Sequence, residues 1–144
     1  MTAFLLDVNV LIALLDPAHV HHNDAHDWFS ATGRRAWATC PLTENAVLRI
    51  LGDQRYQNFS GNPAAVAELL AEFFALPGHR FWPDDISILD RQKLDPTRLL
   101  GSSQVTDSYL LALAHAHNGK LATLDRRLIT AAVKAGAEAM HLIV

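Results

Sequence analysis

The stretch Phe4-Leu5-Leu6-Asp7-Val8-Asn9-Val10-Leu11-Ile12-Ala13-Leu14-Leu15-Asp16-Pro17 decides the architecture. Ala3 to Leu6 reads as a buried strand, and Val8 to Leu15 as a helix that Asp16-Pro17 ends, because proline disfavours helical backbone at the residue before it. Asp7 stands at the junction. A strand that runs straight into a helix is the start of a βα unit. Further along, apolar runs of four or five residues alternate with segments of helical period, the pattern of an α/β fold built on a parallel sheet.

Working outward, a helix from about Asn23 to Ala31 stops near Gly33. Ala36 to Thr39 is a second strand that runs into Pro41, a favourable first helical position, and the next helix covers Leu42 to Leu51. Gly61-Asn62-Pro63 restarts the chain into a helix rich in Ala, Leu and Phe that ends before Pro77-Gly78, and Arg80 to Pro83 reads as a third strand. Asp84 to Ser103 has no clear period. Ser102 or Ser103 is placed to cap a helix from Gln104 to His117 that Asn118-Gly119 closes. Leu121 to Leu124 is a fourth strand, Arg127 to Lys134 a last helix, and Ala139 to Ile143 a fifth strand.

The length of 144 residues suits one domain, residues 1–144, with one core. Half of the residues are apolar and 19% are charged, a globular composition. Cys40 is the only cysteine, so no internal disulfide forms and a reducing, cytoplasmic setting is expected. Asp7, Asn9 and Asp16 interrupt the N-terminal apolar stretch, which therefore fits neither a signal peptide nor a membrane span. A net charge of −3 argues against gripping nucleic acid through overall positive charge. Any such contact must be local, through bound metal and small basic groups such as Arg34 with Arg35, Arg49 with Arg55, or Arg126 with Arg127.

Four acids occupy costly places. Asp7 and Asp125 each follow an apolar strand, at the carboxyl edge where open parallel sheets bind ligands. Glu44 shares its helix face with Val47, Leu48 and Leu51, and Asp107 shares its own with Leu110, Leu111 and Ala114, so both faces point inward. Taken singly, each acid is explained as a cap or as a complement to a helix N-terminus, worth about 0.3–1 kcal/mol. Taken together they converge on one sheet edge without an inward lysine or arginine. Clustered carboxylates repel, and a hard divalent cation such as Mg²⁺ or Mn²⁺ resolves the repulsion.

Leu5-Leu6-Asp7-Val8-Asn9-Val10-Leu11, Thr43-Glu44-Asn45, Thr106-Asp107-Ser108-Tyr109-Leu110 and Ala122-Thr123-Leu124-Asp125 together resemble the PIN-domain nucleases, and more narrowly the VapC-type toxins of bacterial toxin–antitoxin pairs. The resemblance implies a PIN-like three-layer sandwich, with a central, mostly parallel sheet of four to five strands flanked by helices. It implies Asp7, Glu44, Asp107 and Asp125 as the catalytic, metal-binding acids, with Asn9 and Thr123 as supporting polar neighbours. It also implies an RNA substrate, a cognate antitoxin that blocks the site, and a homodimer. Members often carry another acid after the fourth and then an aromatic, where this chain has Arg126, Arg127 and Leu128. Asp125 is thus the weakest of the four as a direct ligand.

The expected chemistry is hydrolysis of an RNA phosphodiester by metal-activated water, with one or two ions held chiefly by Asp7 and Asp107. Asp7-Val8-Asn9 after a strand also suggests a Mg²⁺-dependent phosphatase or a receiver-like phosphoryl-transfer domain. The phosphatase expects an acid at Asn9, and the receiver expects adjacent acids where Val8 follows Asp7. A binding module would need four separate caps. His22 and His26 have the i, i+4 spacing of zinc helices but lack the rest of such a motif, so with His19 and His21 they read as a solvated helix start near a partner surface. Trp28-Phe29 and Phe73-Phe74 read as core or dimer-face residues rather than base-stacking platforms. Cys40 reads as buried and not nucleophilic.

Overall fold

The computed structural model describes residues 1–144. Five strands form one all-parallel sheet, β1 (Phe4–Leu6), β2 (Trp37–Thr39), β3 (His79–Phe81), β4 (Lys120–Thr123) and β5 (Met140–Leu142). Their spatial order is β3-β2-β1-β4-β5. Phe4 lies opposite Trp37 on one side and Lys120 on the other, which fixes the register around the central strand. The helices are α1 (Val8–Leu15), α2 (His22–Ala31), α3 (Pro41–Leu51), α4 (Pro63–Phe74), α5 (Ser103–Ala116) and the short α6 (Gly136–Ala139).

Side chains alternate across the strands, and this splits the core in two. Leu5, Ala38 and Leu121 join one apolar cluster with Leu110, Leu111 and Leu113 of α5. Leu6, Trp37 and Ala122 join the other, with Val10 and Leu11 of α1, Phe29 of α2, Val47 of α3 and Leu70 of α4. The sheet is therefore covered on both faces, giving three layers. Each fully buried leucine contributes about 1.5–3 kcal/mol of transfer free energy. Phe29 and Phe73 pack on Trp37 within the second cluster, Phe73 stacked at 4.6 Å between ring centroids, as core residues do.

From β1 the chain moves to β2 and β3 on one side, then returns to β4 and β5 on the other. Strand order reverses between β1 and β4. In open parallel sheets the crevice at such a reversal, beyond the carboxyl ends of the strands, is where ligands bind.

Helix ends explain several boundaries. Asn62 caps α4 by accepting from Ala65 N at 3.0 Å. Asn118 takes the left-handed conformation (φ 57°) after α5, and Gly119 N donates to Ala114 O at 2.8 Å. A Cβ on Gly119 would meet Ala3 O at 2.5 Å, so only glycine lets α5 turn into β4 beside β1. Ser102 makes no capping hydrogen bond to α5. Gln104 ties that end instead, accepting from Leu100 N at 3.0 Å and donating to Arg98 O at 2.9 Å.

One expected element does not form: Arg127 to Lys134 is not a helix. Apart from isolated turn bonds such as Val133 N to Thr130 O at 3.1 Å, its backbone bonds to a distant segment. Asp95 N donates to Ala132 O at 2.7 Å, Lys134 N to Lys93 O at 3.0 Å, and Leu94 and Val133 form an antiparallel bridge. Tertiary pairing overrides local helical propensity there. The helix that precedes β5 is the short α6.

Candidate metal centre at the carboxyl edge

Asp7 follows β1 and starts α1. Its Oδ1 accepts from Val8 N at 2.7 Å, and its Oδ2 accepts from the Thr123 hydroxyl at 2.8 Å. Capping and site-building are thus one arrangement. Thr123 is the fully buried last residue of β4, and its oxygen also accepts from Asn9 Nδ2 at 3.4 Å and from Asp125 N at 3.1 Å. Asn9 Oδ1 accepts from Leu124 N at 3.3 Å, so Asn9 and Thr123 stitch the end of β1 to the end of β4.

Asp7 is buried, and burial pushes its carboxyl from the ordinary 3.8 up to about 6, helped by the charges of Asp107 and Asp125 and opposed by the Thr123 and Val8 hydrogen bonds. Burial, and then the charge of Asp125, raises Asp107 as well. Asp7, Asp107 and Asp125 therefore sit close enough to repel one another. Asp107 lies in the second turn of α5. Asp125 accepts from Arg127 N at 2.8 Å and so closes an Asx turn; it caps no helix, since none follows it.

Glu44 stands slightly apart. It lies in the first turn of α3, after β2, at the same sheet edge, and its Oε2 accepts from the Thr39 hydroxyl at 2.8 Å. The charges acting on Asp7 and Asp107 are those of the other aspartates, not of Glu44. Thr39 and its second partner, His79, at 2.8 Å, were not anticipated from sequence. The signal available was the parallel between Thr39 and Thr123, each the last residue of a strand.

None of the four acids forms an ion pair with a lysine or arginine. No group of three or more His, Cys, Asp or Glu side chains is drawn together tightly enough to hold a metal ion as the side chains stand. The donor set nonetheless fits a hard divalent cation in chemistry: every donor is oxygen, and a buried carboxylate with two like-charged neighbours lacks a compensating charge. Elsewhere, His22 and His26 have ring centroids 5.8 Å apart, and His22 Nδ1 bonds Ala13 O at 2.7 Å. Cys40 is fully buried, and burial pushes its thiol up, so it is no nucleophile.

The chain matches the PIN domain over residues 4–134. Ribonuclease VapC44 of Mycobacterium tuberculosis is 44% identical to it over 141 residues, 96% of each chain. Ribonuclease VapC39 of the same organism is 42% identical over 132 residues, covering 92% of this chain and 94% of the relative. Ribonuclease VapC29 is 42% identical over 125 residues, 86% of each. An α/β sandwich whose sheet order reverses beside a buried aspartate, matched along nearly all of its length by these relatives, belongs to the PIN-domain family and to its VapC-type branch.

Proposed function

We propose that the chain is an endoribonuclease that hydrolyses RNA phosphodiesters with Mg²⁺ or Mn²⁺ held by Asp7, Asp107, Glu44 and Asp125. The observation that carries this reading is Asp7, a buried and unpaired carboxylate at the sheet's reversal point with two acidic neighbours. The ribonuclease names of its relatives favour it over a phosphatase or a receiver.

When bound, such an ion lowers the pKa of a water and offsets charge on the leaving oxygen. The chain's own residues do the positioning. Val8 N and the Thr123 hydroxyl each hold one oxygen of Asp7, so its carboxylate is preset in one orientation. Asn9 keeps Thr123 in place from the neighbouring helix. Exposed Arg126 and Arg127, beside Asp125, are suited to the flanking phosphates, which lets a chain of net charge −3 bind RNA locally. Cleavage leaves 5′-phosphate and 3′-hydroxyl ends. In the cell we assign it the role of toxin, acting in the cytoplasm as a homodimer and restrained by a cognate antitoxin that covers the acids.

Labelled RNA and a generic phosphomonoester, each with Mg²⁺ and with chelator, test the reaction. RNA alone should be cut, only with metal, and Asp7→Asn or Asp107→Asn should lower the rate by orders of magnitude with an unchanged circular dichroism spectrum. Cleavage in chelator, or a 2′,3′-cyclic phosphate product, would contradict the mechanism.

A further inference from the structure

β2 ends on Thr39, fully buried, whose hydroxyl has two partners at 2.8 Å, Glu44 Oε2 and His79 Nε2. An ionised carboxylate only accepts hydrogen bonds, so the single hydroxyl proton goes to Glu44. The imidazole must then donate to the hydroxyl oxygen. His79 is thereby the tautomer protonated at Nε2, and the order runs His79 Nε2–H to Thr39 O–H to Glu44 Oε2. The ring is clamped: Phe74 stacks on it with centroids 4.4 Å apart and 10° between planes, and Trp37 lies at 4.6 Å.

The same device serves Asp7. There Asn9 Nδ2–H donates to the Thr123 hydroxyl, which donates to Asp7 Oδ2. Each of these two strands thus ends on a buried threonine that takes an N–H from another element and hands its own proton to one acid of the centre. Glu44 makes no other side-chain hydrogen bond, so Thr39 alone fixes the carboxylate on its three rotatable bonds.

We propose that His79 is a positioning residue for Glu44, acting through the Thr39 hydroxyl to set the orientation of that carboxylate at the metal centre. The proposal rests on the metal-centre reading above. It adds a residue from an edge strand, 35 positions away in sequence from Glu44, that makes no hydrogen bond to any of the four acids.

Calorimetric titration of Mn²⁺ into the full chain tests it. His79→Phe keeps the aromatic stack and loses the N–H, and Thr39→Val keeps the shape and loses the hydroxyl. Each should weaken Mn²⁺ binding by roughly ten- to a hundred-fold, the usual effect of removing a group that orients a ligand. His79→Gln and Thr39→Ser, which restore a donor and a hydroxyl, should recover most of it. The double variant should bind no more weakly than Thr39→Val alone, because His79 acts only through Thr39. In metal-free protein, ring-nitrogen NMR should show His79 protonated at Nε2. An Nδ1-protonated ring, additive losses in the double variant, or variants that melt earlier yet bind Mn²⁺ like wild type would overturn the role of His79. A wild type that binds no Mn²⁺ would instead remove the metal-centre reading on which the role depends.

Discussion

At Asp7 a single carboxyl reports whether the site is built for a charge it does not itself carry. Burial first, and then Asp107 and Asp125, lift its pKa from 3.8 to about 6, which at about 1.36 kcal/mol per pH unit is about 3 kcal/mol. Because the folded value is the higher one, protonation contributes stability that is complete below 3.8 and is lost as pH rises through about 6. Metal-free protein should therefore gain stability as pH falls from 7 toward 4. Asp7→Asn, which cannot ionise, should exceed wild type in chelator at pH 7 by up to about 3 kcal/mol, the gap closing near pH 4. Urea unfolding at several pH values measures it, and a variant that is less stable by the same amount throughout would show Asp7 to be only a helix cap. Asp7 and Asp125 were legible in sequence because each directly follows an apolar strand, and Asp107 because it shares a helix face with Leu110, Leu111 and Ala114. His79 was not, since nothing local to Gly78-His79-Arg80 tells that its ring meets Thr39 on the neighbouring strand.

The elements divide by where their hydrogen bonds go. Helices α1 to α5 satisfy their own backbones, and their expected bounds match the structure to within a residue at most ends because caps and apolar spacing are local features. The segment after Asp125 pairs with the 93–95 loop, which cannot be read from its own residues. There Ala135 is held left-handed at φ 55°, a conformation costing a non-glycine residue roughly 1 kcal/mol. Ala135→Gly should stabilise the protein by about 0.5–1 kcal/mol, raising the melting temperature by roughly 1–4 °C. A drop in melting temperature would mean that the added unfolded-chain freedom outweighs the relieved strain.

Across the whole molecule, the four acids come from the junction of β1 and α1, from α3, from α5 and from the turn after β4, a span of 118 positions from Asp7 to Asp125. No local fragment of an unfolded chain holds them together, so under the proposed metal-centre reading a divalent cation would bind the folded state alone and act on global stability. At a concentration a hundred times its dissociation constant it should add about 2.7 kcal/mol, or roughly 5–10 °C in melting temperature for a chain of this size. Protons compete for the same carboxylates, and the lifted pKa of Asp7 places that competition near pH 6. The metal-induced rise in melting temperature should therefore be full at pH 7.5 and shrink as pH falls below about 6, with proton release detectable by calorimetry on binding. Hydrogen exchange should slow most at β1 and β4, the central strands between which the site lies. Asp7→Asn should abolish most of the metal response while gaining stability in chelator, two opposite shifts that a purely structural aspartate does not produce. Melts of both proteins in chelator and in excess Mg²⁺ at pH 5 and 7.5 separate the cases: a metal response equal at the two pH values, or unchanged in the variant, would place the ion somewhere other than on these acids.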